Sequence, residues 1–145
     1  MPERTSQTIV SDSRVPTIEI AKKLNSSTIT IKNRIKKLMK SGVIQGFKIS
    51  IDPFKIGYQF YKVDIELNEY QKIHQIINYI KNNPNLTIIG KSIGFADLEL
   101  RFHVRNLSEL HQIMNDITVK FPDVIKNYKY FYTSEIFKMN YMPKY

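Results

Sequence analysis

The chain has 145 residues, with 22 Lys plus Arg against 13 Asp plus Glu and a formal net charge of +9. That length holds one sizeable core or two small domains, and the absence of cysteine excludes disulfides and thiolate metal sites, as expected in a reducing cytoplasm. No apolar run reaches the length of a membrane span, and the first residues lack the apolar core of a signal peptide, so a cytoplasmic protein with no membrane partner is expected.

Residues Thr17 to Ser41 predict two short helices around a tight turn, the pattern of a helix-turn-helix. In the first, Ile18, Ala21 and Leu24 make an apolar stripe, with Pro16 near the helix start and Glu19 in its first turn. Leu24 to Ser27 breaks the pattern. Ser27 then suits the N-cap of a second helix, predicted from about Thr28 to Ser41, in which Ile31, Ile35 and Leu38 repeat on one face and Gly42 supplies the stop. The faces away from that stripe carry hydroxyl and amide groups first and cations behind them. Ser27, Thr28, Thr30 and Asn33 are suited to base edges in the major groove of double-stranded DNA, and Lys32, Arg34, Lys36 and Lys37 to phosphates. A solvated helix face would look similar. The distribution of charge favours DNA: residues 1–57 hold 11 Lys plus Arg against 4 Asp plus Glu, whereas residues 58–145 hold 11 against 9.

Beyond Gly42 the period shortens towards two. Val43, Ile44, Phe47, Ile49 and Ile51 predict an extended arm, and Asp52-Pro53 with Gly57 marks a domain boundary. The expected division is a helix-turn-helix domain at 1–43, an arm and linker at 44–57, a second domain at 58–138 and a tail at 139–145. In the second domain Tyr61, Val63, Ile65 and Leu67 alternate as a strand, and Asn68 with Gln71 resembles a capping box ahead of the helical stripe Ile73, Ile76, Ile77 and Ile80. Strands follow at Leu86 to Ser92 and Leu98 to Val104. Asn106 with Glu109 forms a second capping box, Leu107, Leu110, Met114, Ile117 and Phe121 trace a second helix, and a last strand runs from about Val124 to Phe137. The fold class is α+β: a winged-helix-like helix-turn-helix followed by a ferredoxin-like βαββαβ domain with two helices on one face of an antiparallel sheet.

Three groups of residues resemble the Lrp/AsnC family of transcription regulators. Asp12-Ser13-Arg14-Val15 with Glu19-Ile20-Ala21-Lys22-Lys23-Leu24 is similar to the family's D-x-R-I and E-L-A-K-x-L pattern. Arg34-Ile35-Lys36-Lys37-Leu38 with Gly42-Val43-Ile44-Gln45-Gly46-Phe47 is similar to its R-I-x-x-L and G-V-I-x-G-Y pattern, and Gly94-Phe95-Ala96-Asp97 to its G-x-x-D loop. The resemblance spans about residues 12 to 138. It implies a βαββαβ domain of the RAM type, a small-molecule effector such as an amino acid near Gly94, Phe95, Ala96 and Asp97, and homodimers formed through the sheets that assemble into higher even-numbered oligomers. It also implies a helix ahead of Asp12. Only Thr5 to Ser11 is available for it, with Ile9 and Val10 as its apolar part, so a shortened N-terminus is expected. Lost cover over Ile18, Ala21, Ile31 and Ile35 would cost about 1.5–3 kcal/mol for each large side chain left exposed. Where the family carries Gly-Val before the last strand, this chain has Asp123-Val124.

Other chemistry is sparse. Asp97 and Glu99, two apart, would share a strand face as a candidate acid and base, although carboxylates on a sheet face are commonly solvated. His74, His103 and His111 share no metal-ligand spacing, and neither a phosphate-binding loop nor a dinucleotide fingerprint is present, so no metal, cofactor or catalytic residue is expected. Two alternatives use the second domain. One is a sirohaem-decarboxylase-like enzyme, whose polycarboxylate substrate needs a basic pocket. The other is an RNA-binding module of the same topology, but Ile93 and Asp97 stand where such a module needs a cation and an aromatic ring. Phe60, Phe102, Phe131 and the tyrosines Tyr128, Tyr130 and Tyr132 are expected on the open sheet face, buried by a partner sheet.

Overall fold

The computed structural model describes residues 2–11, 13–47 and 49–138; Asp12 and the tail expected at 139–145 lie outside them. The chain divides into two units, one of the residues up to Ser50 together with the chain from Phe137, and one spanning Ile51–Ile136; the first boundary falls inside the stretch expected as arm and linker, and the second falls two residues before the expected end at 138.

The first unit holds helices α1 (Pro2–Ser11), α2 (Thr17–Lys23) and α3 (Thr28–Lys40). Its core is Ile9, Ile20, Ala21 and Ile31, with Val15, Leu24, Ile35 and Ile44 packed around them. The first helix is therefore ten residues long and begins ahead of Thr5. Ile9 is its buried apolar residue and Val10 is exposed, while Ile31 has no exposure at all, so the expected loss of cover over Ala21 and Ile31 does not arise. The stripe of α2 also differs from expectation. Ile20 is buried and Ile18 is 55% exposed, because in a seven-residue helix two apolar stripes are possible and the one next to Ala21 faces α3.

The turn between α2 and α3 is closed by backbone geometry. Asn25 takes a left-handed φ of +46°, Ser26 N–H donates to Ala21 O at 2.9 Å and Asn25 N–H to Lys22 O at 3.2 Å, the paired bonds of a Schellman ending. Asn tolerates that conformation better than most residues. At the far end of α3, Gly42 (φ +73°) donates its N–H to Met39 O. Residues 44–47 and 49–51 form no strand, and Val43, Phe47, Ile49 and Ile51 are exposed, so the predicted arm is irregular chain.

The second unit runs β1 (Gln59–Leu67), α4 (Ile73–Ile80), β2 (Leu86–Lys91), β3 (Leu98–Val104), α5 (Leu107–Lys120) and β4 (Ile125–Thr133). The sheet is antiparallel in the order β2-β3-β1-β4, with Val63 opposite Leu100 and Tyr130, the ferredoxin-like arrangement. Val63, Ile65, Leu98, Leu100, Phe102 and Val104 meet Ile73, Ile76, Ile80, Leu110, Met114 and Ile117 in the core. Asn106 caps α5 by accepting from Glu109 N–H at 3.0 Å, and Glu109 reaches back to Arg105 N–H. The capping box expected at Asn68 does not form. Its side chain donates to Asp123 O instead, a one-turn 3-10 helix intervenes at Tyr70–Lys72, and α4 starts without a side-chain cap.

The faces of the sheet are also assigned differently from expectation. Phe102 is fully buried beneath the helices, and the register places Tyr128, Tyr130 and Tyr132 on that same side, opposite Ile65, Val63 and Tyr61. Tyr130 meets His111 of α5 edge-on at 5.5 Å. The open face carries Phe60, Lys62, Asp64, Glu99, Arg101, His103, Lys129 and Phe131 instead.

Candidate functional site

The predicted recognition helix α3 is nucleated at its N-terminus by Ser27, whose Oγ accepts from Thr30 N–H at 3.1 Å and lies 2.8 Å from Thr30 Oγ1. Those two hydroxyls are therefore hydrogen-bonded to each other. Thr28, Thr30 and Arg34 are half-buried on the flanks of the helix, while Lys32, Asn33, Lys36, Lys37 and Lys40 are exposed. At about 100° per residue, Ile29, Asn33, Lys36 and Lys40 fall within roughly 60° of one another, opposite the Ile31, Ile35 and Leu38 stripe. No carboxylate lies on α3, and Glu19 is the one acidic residue between Ser13 and Ser50. The outward face is thus a cationic strip around a short amide, a form that enters a major groove and holds phosphates on both sides. Ile29, outside the core stripe and 72% exposed, stands on that strip as well. Its signal in the sequence is an aliphatic side chain at a polar position.

The second candidate is the loop leading into β3. Gly94 has φ +125° with open space around it, Ile93 and Phe95 are exposed, and Ala96 is buried. Lys129 Nζ sits 4.3 Å from the Phe95 ring centre. Asp97 N–H donates to Ile65 O, Asp97 O accepts from Ser92 N–H, and Asp97 Oδ2 accepts from Leu67 N–H at 2.8 Å. One carboxylate oxygen of the loop is thus committed to the end of β1.

Asp97 and Glu99 do not act as a pair. Asp97 precedes the strand, whereas Glu99 lies on the open face with Oε1 accepting from Ser92 Oγ at 2.9 Å and Oε2 lying 3.4 Å from Lys62 Nζ. Lys62 also lies 3.0 Å from Asp64 Oδ1 and donates to Oδ2 at 3.2 Å, so one ammonium bridges two carboxylates that face each other across β1 and β3. The Ser92 hydroxyl, then Lys62, hold the Glu99 carboxyl below its usual range, and the Asp64 contact raises Lys62. At the other end of β3, His103 stacks on Phe60 at 4.9 Å, and burial lowers its pKa. A shallow groove of about 340 Å³ lies there, lined by Tyr58, Pro84, Asn85 and His103 among others. It is separate from Gly94 to Asp97. Among the described residues no cluster of His, Asp and Glu fits a metal ion, and no helix is long and apolar enough to cross a membrane.

Comparison with known proteins gives these features a context. Residues 6–45 match the family model described as winged helix-turn-helix DNA-binding. The HTH-type transcriptional regulator LrpA of Pyrococcus horikoshii is 32% identical over 115 residues, covering 79% of this chain and 82% of LrpA. The fold is that of Escherichia coli AsnC, with a TM-score of 0.83 at 17% identity over 97% of this chain and 95% of AsnC. It is also that of a feast or famine regulatory protein from M. tuberculosis complexed with L-methionine, with a TM-score of 0.84 at 16% identity over 97% and 95%. Sequence, fold and the capped cationic helix agree: the chain belongs to the Lrp/AsnC family of DNA-binding transcriptional regulators.

Proposed function

We propose that the chain is a cytoplasmic, sequence-specific regulator whose α3 occupies the major groove and whose second unit senses a small effector of the amino-acid class. The observation that carries this reading is the outward face of α3, cationic, free of carboxylates and fixed by the Ser27 cap. Lys32, Lys36 and Lys37 supply phosphate affinity with Arg34 at the flank, and Asn33 with Thr28 reads bases; Ser27 and Thr30 serve chiefly to set the helix start. The effector is proposed to lie against Gly94, Phe95 and Ala96, with the Asp97 oxygen not bound to Leu67 available to an ammonium group. The methionine bound by the M. tuberculosis neighbour supports this class of ligand.

The reading includes a homodimer through the open sheet faces. Phe131 is half exposed opposite Lys62, Phe60 lies on the same face, and Lys62, Asp64, Glu99 and Arg101 give that face charges of both signs that a second copy related by two-fold symmetry can match. The RNA alternative fares worse, because Asp64 and Glu99 occupy the centre of the face where stacking rings would be needed. Sedimentation of the full chain with and without L-methionine tests the sensing part. A change in oligomer distribution supports it, and unchanged sedimentation with no heat of binding for any of the twenty amino acids contradicts it.

A further inference from the structure

We propose that Ile29 is a specificity-determining residue that packs on the 5-methyl group of a thymine in the major groove, beside the base read by Asn33. This rests on the DNA-binding reading of α3. The major groove offers one apolar recognition element, the thymine methyl, and aliphatic side chains are its partners. Ile29 is 72% exposed in the first turn of α3, although burying it elsewhere in the unit would have been favourable. It stands one helical turn before Asn33 on the same face, Lys32 adjoins both, and Lys36 and Lys40 follow on the next turns. Those cations decide the occupant. An apolar protein surface would have to desolvate Lys32 to reach Ile29 and would meet Lys36 and Lys40 further along the same face, whereas a DNA groove supplies phosphates to the cations and a methyl to the isoleucine. The neighbouring hydroxyls of Ser27 and Thr30 are hydrogen-bonded to each other, which leaves Ile29 beside Asn33 and Thr28 among the groups at the helix start that can face the bases. Asn pairs with the N6 and N7 edge of adenine, so each half-site is expected to hold A·T pairs at both positions.

The test is made on the DNA as well as on the protein. Sites are selected from a pool of random duplexes with the full chain, and each thymine of the selected duplex is then replaced singly by deoxyuracil, which lacks the methyl group. Binding is measured for the wild type and for Ile29→Ala. At one thymine per half-site the replacement should weaken the wild type about fourfold, the worth of one buried methyl-sized group, and leave Ile29→Ala unchanged. The variant should keep the wild-type salt dependence, because no charge is removed. Coincident thermal melts of the two proteins would show that folding is intact. Tolerance of deoxyuracil at every position, or an equal loss in Ile29→Ala, overturns the inference and leaves the DNA-binding reading standing. Recovery of no preferred sequence overturns both.

Discussion

Asp97 Oδ2 accepts the backbone N–H of Leu67 at 2.8 Å across thirty residues of sequence, fastening the loop ahead of β3 to the end of β1. The β1 and β4 register shifts between Glu66 and Leu67, and the carboxylate receives an N–H at that break. Asp97 is thus part of the architecture of the second unit.

Removing that acceptor should be felt in stability. Asp97→Ala leaves the Leu67 N–H without its acceptor and is expected to cost about 1–3 kcal/mol, and Asp97→Asn, which keeps an acceptor oxygen, less than that. Urea denaturation followed by circular dichroism measures both. Equal midpoints for Asp97→Ala and the wild type would show that the bond contributes nothing.

Ser27 should behave as a cap and not as a base-reading group. Ser27→Ala is expected to destabilise the first unit by about 0.5–2 kcal/mol. Ser27→Asp should retain the cap and the stability while weakening DNA binding, because it sets a carboxylate at the face that meets phosphates. A loss of stability in Ser27→Asp as large as that in Ser27→Ala would contradict the assignment.

The Lys62 bridge gives a pH dependence with a definite sign. Glu99 is held below its ordinary range in the folded chain, so its contribution is present above the unfolded value and is lost as pH falls through the folded one. Lys62→Met should therefore destabilise at pH 7, where ionised Glu99 loses the cation beside it, and less at pH 4 as Glu99 protonates. Thermal melts of wild type and variant at the two pH values provide the comparison. A penalty independent of pH would indicate lost packing of the lysine stem instead of charge.

His103 gives a second titration. Burial lowers its folded pKa from the ordinary value of about 6.5, so the unfolded chain binds the proton first and stability falls as pH drops through that range. His103→Gln should flatten the stability profile between about pH 5 and 7. An identical profile in the variant would assign the change to other groups.

Much of the fold was legible because its signals are local. The strict alternation from Leu98 to Val104 and the Ser27 cap with the Ile31, Ile35 and Leu38 stripe correspond directly to β3 and α3. What escaped depends on partners distant in sequence. Asn68 looks like a cap until Asp123 O takes its side chain. Period two shows that Tyr128, Tyr130 and Tyr132 share a face, but the pairing with β1 decides which face the helices cover. Ile18 and Ile20 are equivalent in a seven-residue window, and packing against α3 separates them. In the candidate site, the residue types on α3 were legible, whereas the mutual bonding of Ser27 and Thr30 and the commitment of Asp97 to Leu67 are properties of the folded chain.

The most direct test of the central claim, that α3 reads DNA with separate groups for bases and phosphates, is a mobility shift of the full chain on genomic fragments across a salt series, for wild type, Asn33→Ala and Lys36→Ala. The wild type should give discrete shifts on selected fragments with a steep salt slope. Asn33→Ala should relax preference at one base pair by about 1–3 kcal/mol, and Lys36→Ala should weaken all fragments alike and lower the slope by about one. Uniform loss in both variants, or no discrete shift by the folded wild type, would contradict the account.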